Sequence, residues 1–285
     1  MGEHWLEMAK ALVLIKDGNI TVLSDPLIKK CPLRKELYGC EIETRESVEM
    51  VLRKHMEEYG MYGPSRILES KEKPVSFGAS EILMDGMAEG LIDSAVVVCE
   101  GAGTVIVTKP EILQALGAHM TGLLKTDPIP EIMTQLKKKG CIVDERCRID
   151  QVQGFIKAVE LGFRKIAVTI TGQKAEDARR LREIGETSGT QPIILAVHNT
   201  GITEEQASLL GHFADIVWGC ASKNVREIVG REAKLQIGVA IPVFAVTSIG
   251  KKLVLNRAYH FEDKLVIHRA KLPYEIEDRK PEPLL

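Results

Sequence analysis

The chain has 285 residues, and its 38 Lys and Arg residues nearly balance its 40 Asp and Glu residues, which leaves a formal net charge of -2. This balance disfavours nucleic acid and anionic membrane surfaces as partners, because both are held through an excess of basic charge. No run approaches the roughly 20 apolar residues that span a bilayer, and the opening "MGEHWLEMAK" has acidic residues where a signal peptide has basic ones, so we expect a cytoplasmic protein.

Six cysteines are spread along the chain without a Cys-x-x-Cys pair: Cys31, Cys40, Cys99, Cys141, Cys147 and Cys220. A chain of this length can bury enough core to fold without disulfides, which favours free thiols in a reducing compartment. The spacings match no zinc or iron–sulfur template. We interpret most of these cysteines as small buried apolar residues.

The first 75 residues predict a small N-terminal attachment. In "ALVLIKDGNITVL" two apolar runs flank Asp17 and Gly18, which is a strong signal for a β-hairpin. Farther on, apolar residues recur at helical spacing in "ETRESVEMVLRKHMEEYGM" before Gly60. Residues 1–75 are therefore expected to form a hairpin and a helix attached to a larger domain.

From about residue 76 the sequence repeats an apolar run of strand length, a turn of small polar residues and a capped helix. Strands rich in Val and Ile without alternation are typical of a parallel sheet covered on both faces. We therefore predict an α/β domain over residues 76–272 with a doubly wound, mainly parallel, Rossmann-like sheet; a (β/α) barrel is the alternative. The charged, proline-rich residues 273–285 are expected to lie loosely on the surface as a polar tail. The expected strands are 94–99, 166–170, 192–197, 214–218 and 242–246.

Capping boxes mark three helix starts. In a capping box the N-cap residue and the residue three positions later each bond the other's backbone N–H. The pairs are Thr108 with Glu111, Asp150 with Gln153, and Thr203 with Gln206. We expect helices to begin at these positions.

The stretch "CEGAGT", residues 99–104, follows an apolar strand and contains Gly101 and Gly103. A dinucleotide-binding loop would run into a helix and carry a third glycine, but Ile106 occupies that position and "TVIV" is extended in character. A Walker motif is also missing, because no Gly-Lys-Ser or Gly-Lys-Thr follows. The stretch is therefore either a ligand-binding turn at the surface of a crevice or a turn with a structural role only.

Small and hydrogen-bonding residues follow each of the five expected strands. Parallel strands deliver their carboxyl ends to one edge of the sheet, where ligands of open α/β sheets bind. Glycines beside hydroxyls leave backbone amides accessible there, which predicts a site for an anionic or nucleotide-like small molecule. The residues predicted to bind it are Glu100, Gly101, Gly103, Thr104, Thr171, Gly172, Asn199, Thr200, Gly201, Ser222 and Thr247.

Three reactive side chains fall at the same edge: Cys99, His198 and Cys220. A histidine titrates near neutral pH and a thiolate is a strong nucleophile, so this set is predicted to be catalytic. In the alternative interpretation His198 caps a strand end and Cys99 packs in the core. A metal or iron–sulfur site formed by Cys31, Cys99 and Cys220 stays open, although a pocket without metal ranks above it because no local spacing supports metal binding.

Seven segments occur in the order "CPL", "SFGASEIL", "VVVCEGAGTVIV", "IPEI", "RIDQVQG", "AVHNTG" and "GCAS". In this combination the chain resembles the methanogenesis marker protein 8 family, an archaeal group of unknown function, from about residue 10 to residue 255. The resemblance implies a cytoplasmic protein of methanogenic archaea with a role in methanogenesis or in the making of its cofactors. It implies no reaction and no catalytic residues.

Two classes of function remain. One is an enzyme that transfers a group to or from the predicted small molecule, for example with S-adenosylmethionine as methyl donor in cofactor assembly. The other is a ligand-binding or assembly protein without catalysis. The polar junctions and the thiols favour the first class, and the missing signature motif favours the second. The sequence identifies no cofactor, and it leaves a homo-oligomer open.

Overall fold

The computed structural model describes residues 2–119 and 122–285, and within these ranges the chain forms two β-sheets. In chain order the strands are β1 (Glu3–Met8), β2 (Ala11–Lys16), β3 (Asn19–Val22), β4 (Ser94–Cys99), β5 (Gly103–Val107), β6 (Gly122–Thr126), β7 (Ile142–Val143), β8 (Ile166–Thr171), β9 (Ile193–Val197), β10 (Ile216–Trp218), β11 (Leu235–Ile237) and β12 (Val243–Ala245).

Helices connect the strands. In chain order they are α1 (Pro32–Tyr38), α2 (Arg45–Tyr59), α3 (Ala79–Ala88), α4 (Pro110–Gly117), α5 (Pro130–Lys138), α6 (Gln151–Glu160), α7 (Ala175–Ser188), α8 (Glu204–Phe213), α9 (Gly230–Glu232) and α10 (Ser248–Tyr259), and a π-helical stretch, Val225–Val229, leads into α9. None of the helices in the described ranges combines the length and the apolar composition needed to cross a membrane.

The smaller sheet is antiparallel, in the strand order β3-β2-β1-β6. Its β2–β3 turn confirms the predicted hairpin, because Asp17 and Gly18 have φ of 51° and 79°, as a tight two-residue hairpin turn requires. The strand β1 and its pairing with β6 were not predicted from the sequence. The two strands are far apart in the chain, so no local pattern could indicate that they pair.

The predicted N-terminal helix is confirmed as α2. Thr44 caps its first turn in a box with Ser47, and Gly60, with φ of 64°, ends it in the left-handed conformation. The apolar face of the helix carries Val51 and Leu52, which are fully buried against the smaller sheet. This packing forms a separate hydrophobic cluster, to which Leu123 of β6 also belongs.

The larger sheet has the strand order β11-β12-β10-β9-β8-β4-β5-β7. Its centre is parallel, since β10, β9, β8 and β4 run in the same direction, and both flanks are antiparallel. The prediction of an α/β fold is confirmed in the form of a mixed sheet. The expected direction is wrong for β12, which pairs antiparallel with β10. The barrel alternative is also wrong for the described residues, because β11 and β7 are free edges of an open sheet.

Helices pack on both faces of the larger sheet. On β4, Ala95 and Val97 belong to the apolar cluster that contains α3 and α4, whereas Val96 belongs to the cluster that contains α6 and α7. A strand that is covered on both sides has no polar face. This is why the central strands are continuous apolar runs in the sequence.

Two of the three predicted helix starts are confirmed. Thr203 forms the full capping box with Gln206 at α8, and the Asp150 side chain caps α6. The third is wrong, because Thr108 lies outside α4. Pro110 stands at the first helical position, where its fixed φ and missing N–H set the start of the helix.

Residues 274–285 pack against the domain instead of lying loosely on its surface. Glu275 accepts a hydrogen bond from the buried Arg226 at 2.7 Å. Glu282 forms a β-bridge with Lys30, and their side chains form an ion pair at 2.8 Å. The polar character of this segment therefore serves contacts with two distant parts of the chain.

Candidate functional site

The central parallel strands bring four of the five predicted junctions to one edge of the larger sheet. The carboxyl ends of β10, β9, β8 and β4 lie side by side there, because these strands are neighbours and share one direction. The fifth junction, at Thr247, lies at the opposite edge, since β12 runs antiparallel. The Thr247 hydroxyl donates to Asp215 at 2.6 Å and so does not join the other junctions.

The strand order brings two of the three reactive side chains together. Cys220 and His198 follow the neighbouring strands β10 and β9, whereas Cys99 ends β4, three strand spacings from β10. At about 4.8 Å per spacing, Cys99 lies roughly 14 Å from Cys220 along the edge. A site that joins Cys31, Cys99 and Cys220 is therefore not supported. No group of three or more His, Cys, Asp or Glu side chains among the described residues is arranged to hold a metal ion.

The stretch 99–104 is a tight hairpin turn between β4 and β5, and all six residues are buried. The Gly101 N–H donates to the Thr126 hydroxyl at 2.7 Å. The Thr104 hydroxyl accepts a hydrogen bond from the Asp150 N–H at 2.8 Å. The expected position at the surface of a crevice is therefore wrong for this turn, because its polar groups are bonded within the protein. The predicted ligand contacts of its residues stay a prediction.

Glu100 is the centre of a buried polar cluster. Its carboxylate accepts a hydrogen bond from the Arg66 Nε at 2.5 Å, and the exposed fractions of the two side chains are 0% and 2%. The Cys99 thiol donates to the Glu100 carbonyl at 3.2 Å. Burial, and then the negative charge of Glu100, raise the pKa of Cys99 well above its ordinary range. The Cys99 thiol is therefore protonated and enclosed, as in a thiol with a packing role.

Three more polar residues complete this cluster, and the sequence analysis does not identify them: His4, Tyr62 and Thr126. The His4 Nδ1 lies 2.6 Å from the Thr126 hydroxyl oxygen, and the rings of His4 and Tyr62 are 5.5 Å apart. The His4 Nε2 and the Tyr62 hydroxyl have no hydrogen-bond partner in the part of the chain that the structure describes. The residues come from separate segments, so the one local signal is the alternation of β1, which buries His4 beside Leu6.

His198 and Cys220 share an unusual backbone conformation. Their φ angles are 53° and 44°, in the left-handed region that residues other than glycine rarely adopt. The backbone N–H groups of Asn199 and His198 favour the thiolate form of Cys220 and so act to lower its pKa. Two strained, reactive residues at neighbouring strand ends are the strongest indication of a functional site in this fold, because such strain concentrates at functional sites.

Burial sets the protonation of both side chains. It lowers the pKa of His198 to about 4 and raises the pKa of Cys220 above its usual range, although the two backbone N–H groups oppose this rise. Cys31 is close enough to raise the pKa of Cys220 further. At pH 7 the imidazole and the thiol are therefore neutral. Together they can exchange hydrogen bonds with a ligand and can act as soft ligand atoms.

Asn199 and Thr200 connect the end of β9 to the end of β10 through hydrogen bonds of their side chains. The Asn199 Nδ2 donates to the Trp218 carbonyl at 2.7 Å and so ties β9 to β10. The buried Asn199 Oδ1 has no partner among the described residues, and a Cβ on Gly172 would come within 2.5 Å of it. The Thr200 hydroxyl accepts a hydrogen bond from the Ala221 N–H at 3.3 Å. The predicted residues Asn199 and Thr200, in the loop after β9, therefore connect neighbouring strand ends, and one buried acceptor among them has no partner in the described residues.

The other predicted residues at this edge shape the backbone. The hydroxyl oxygen of the fully buried Ser222 accepts a hydrogen bond from the Val225 N–H at 3.3 Å. Gly201 has φ of 74°, which reverses the chain before α8. Thr171 pairs with Val197 between β8 and β9. These contacts hold the junctions in place and neither require nor oppose a ligand.

Two parts of the chain cover this edge. β6 of the smaller sheet passes over it, so that a Cβ on Gly122 would lie 3.9 Å from the His198 ring. Residues 282–285 pass over the loop after β10, where the Leu285 N–H donates to the Ala221 carbonyl at 2.8 Å. The candidate site is therefore a half-buried seam between the larger sheet and its cover.

A cleft of about 640 Å³ opens on the outer side of the same edge, between the first turns of α7 and α8. Glu176, Glu205 and Arg179 line it together with two glutamines. Two carboxylates face one guanidinium, so the cleft suits a neutral or cationic group better than an anion. An anionic ligand is better placed at the His198 and Cys220 side.

A pair of histidines, His55 and His119, lies under the smaller sheet. The Nε2 of the buried His55 lies 2.9 Å from the Tyr38 hydroxyl oxygen, and the ring centres of His55 and His119 are 5.3 Å apart. Burial lowers the pKa of His55 to about 3 and the pKa of His119 to about 4. Both rings are therefore neutral in the folded protein at pH 7.

This pair predicts a loss of stability in mild acid. In the unfolded chain a histidine has a pKa of about 6.5, so below that pH the unfolded state binds protons that the folded state does not. The free energy of unfolding is therefore expected to fall from about pH 6.5 downwards, by about 1.4 kcal/mol per pH unit for each histidine. Urea unfolding between pH 7 and about pH 5 should show a shallower fall for His55→Gln. Equal slopes for the variant and the wild type would contradict this prediction.

Comparison with known proteins places the chain among archaeal proteins. Residues 4–259 match the family described as uncharacterized protein conserved in archaea (DUF2099). The chain is 36% identical over 288 residues to the uncharacterized protein MJ0054 of the methanogen Methanocaldococcus jannaschii, with all of both chains covered.

Among solved structures, a chain of the F420-reducing [NiFe] hydrogenase complex from Methanosarcina barkeri is similar over 64% of this chain and 72% of that chain. The identity is 14% and the TM-score is 0.35, which is too low to carry an argument. The family match spans nearly the whole chain and agrees with the full-length relative. The protein therefore belongs to the DUF2099 family of uncharacterized proteins conserved in archaea.

Proposed function

We propose that this protein binds an anionic or nucleotide-like small molecule at the seam above the ends of β9 and β10. The observation that carries the proposal is the pair of strained residues His198 and Cys220 at neighbouring ends of parallel strands. The parallel centre would then serve as the binding edge of a doubly wound fold, in which ligands lie at the carboxyl ends of strands.

The surroundings support a polar ligand. The Asn199 Oδ1 is a buried acceptor without a partner among the described residues, which costs free energy unless a donor reaches it. The Lys10 ammonium lies 3.9 Å from the position of a Cβ on Gly201 and brings a cation to this edge, although it also forms an ion pair with Glu7. A ligand with both a donor and an anionic group would use these two features.

The protonation states favour binding without catalysis. The raised pKa of Cys220 keeps the thiol protonated, and the lowered pKa of His198 leaves the imidazole uncharged, so neither side chain is an activated nucleophile or acid at rest. A group-transfer enzyme, for example one that uses S-adenosylmethionine, is the second candidate. It is favoured by the occurrence of an imidazole and a thiol at neighbouring strand ends.

The family gives the biological setting of the proposal. Because a full-length relative comes from a methanogen, we place the function in methanogenesis or in the assembly of its cofactors, as the resemblance to the marker protein 8 family implies. This setting names the source from which the ligand should be recovered. It does not choose between a binding protein and an enzyme.

Native mass spectrometry of the protein purified from a methanogen tests the proposal. The wild type is expected to carry a small molecule, and His198→Asn is expected to reduce its occupancy by about tenfold, the loss that corresponds to about 1.4 kcal/mol. Asparagine tolerates the left-handed backbone, so this variant removes the imidazole and leaves the loop in place. Cys220→Ser should also reduce the occupancy, because it removes the thiol. The hydroxyl is of similar size, so the loop should stay in place.

The matched control is His212→Asn, which makes the same change at an exposed position on α8. It should retain the ligand. A wild type without any bound molecule, or a His198→Asn protein with undiminished occupancy, would overturn the proposal. The mass of the retained molecule decides between the two candidates, since S-adenosylmethionine or its product would favour the enzyme.

A further inference from the structure

An exposed apolar segment follows α10. Every residue from 262 to 271 is exposed, and the exposed fractions of Val266 and Ile267 are 90% and 80%. Leu265 beside them is 38% exposed. A run of branched apolar side chains in water is unusual for a surface loop and marks an interaction site.

The backbone and the charges of this segment also have no partners. In the part of the chain that the structure describes, no backbone N–H or carbonyl of residues 262–273 takes part in a hydrogen bond. The charged side chains of Asp263, Lys264 and Arg269 form no ion pair with the described residues. The segment therefore offers a row of open hydrogen-bonding groups with the composition of a β-strand.

The segment is held in place on its C-terminal side and follows an exposed apolar surface of α10 on its N-terminal side. On its C-terminal side, the Tyr274 N–H donates to the Gln236 side chain at 2.8 Å, and the Gln236 amide donates to the Tyr274 carbonyl at 2.6 Å. On its N-terminal side, Leu255 and Tyr259 lie four residues apart on α10, with exposed fractions of 42% and 84%. The apolar surface thus begins on the helix and continues into the segment.

We propose that residues 263–269 pair antiparallel with the same residues of a second copy of this chain, about a two-fold axis at Val266. In this register Asp263 faces Arg269 of the second copy, and Leu265 faces Ile267. Each pair occurs twice because the axis relates the two chains. Opposite charges thus face each other at both ends of an apolar centre, and this complementarity selects a second copy as the partner.

The alternation of a strand divides these residues correctly between two faces. Residues 263, 265, 267 and 269 share one face, which carries both ion pairs and all four Leu and Ile side chains of the dimer. The other face carries Val266 at the axis. A shift of one residue in one direction would place Lys264 opposite Arg269, two like charges. A shift in the other direction would place Arg269 opposite Glu262 and so keeps opposite charges, but it would no longer hold all four Leu and Ile side chains on one face. Charge and alternation together therefore select the proposed register.

Charge reversal tests the pairing. Sedimentation velocity of the purified full-length wild type over a range of concentrations is expected to show a reversible dimer. Asp263→Arg alone and Arg269→Asp alone each turn two attractive pairs into two repulsive ones, which should weaken dimerisation roughly tenfold or more. The double variant with both changes restores opposite charges at both ends and is expected to dimerise like the wild type.

Two further variants complete the test. Lys271→Glu changes a charge in the same segment outside the paired residues and should leave the dimer unchanged, whereas Val266→Lys should abolish it. A wild type that stays monomeric up to about 100 µM would overturn the proposal, since even weak specific complexes form in that range. A double charge variant that remains as weak as the single variants would also overturn it. Because the altered residues are exposed, each variant is expected to keep its fold. Circular dichroism of each variant checks this.

Discussion

Replacing Arg66 with methionine is expected to lower the free energy of unfolding by about 3–5 kcal/mol. The change leaves the Glu100 carboxylate buried without its cation in the centre of the protein, next to the Cys99 thiol. It also removes the hydrogen bonds from Arg66 to the carbonyls of Ile67 and Ala115, which tie the segment after α2 to α4. Urea unfolding followed by circular dichroism measures the loss.

A second variant separates the charge from the packing. Arg66→Met combined with Glu100→Gln removes the uncompensated charge, so this protein should be more stable than Arg66→Met alone. The control is Glu41→Gln, which breaks the exposed ion pair between Lys35 and Glu41 and should change stability by less than about 1 kcal/mol. A loss of that small size for Arg66→Met would show that the buried pair contributes little to stability.

The parts of the fold that local chemistry determines are predictable from the sequence. The turn at Asp17 and Gly18 needs two left-handed residues, and these are among the residue types that tolerate that conformation. The helices that start at Thr203 and Asp150 carry their caps in the sequence. The apolar runs of the central strands follow from helices on both faces. Each of these signals acts between residues that are close in the chain.

The direction of a strand and the strands it pairs with depend on residues that are distant in the chain. Local sequence patterns therefore could not predict them. β12 has the same apolar character as the parallel strands, yet it pairs antiparallel with β10. The strand β6 joins the smaller sheet by pairing with β1, where the His4 side chain forms a hydrogen bond with the Thr126 hydroxyl. Neither the direction of β12 nor the partner of β6 can be read from the local sequence pattern, since a strand of either direction buries the same side chains.

The candidate site shows the same division. His198, Asn199 and Cys220 could be placed at one edge from the sequence, because neighbouring parallel strands share that edge. The separation of Cys99 from Cys220 required the strand order, which puts β8 and β9 between them. The cover over the site also required the complete fold. For this reason the sequence predicts an open crevice where the chain forms a half-buried seam.

Replacing Gly103 with alanine is expected to destabilise the protein by about 2–5 kcal/mol, the sum of a backbone term and a packing term. Gly103 has φ of 69°, and an added Cβ would lie 2.4 Å from the carbonyl carbon of Cys147, a distance that requires the backbone to move. Thermal unfolding and urea unfolding measure the loss. The matched control is Gly39→Ala: Gly39 has nearly the same φ, 71°, and its Cβ would meet no described atom within 4 Å, so only the backbone term of about 1–2 kcal/mol remains. Equal losses for the two variants would show that the buried turn at Gly103 can yield, and that its glycine serves conformation alone.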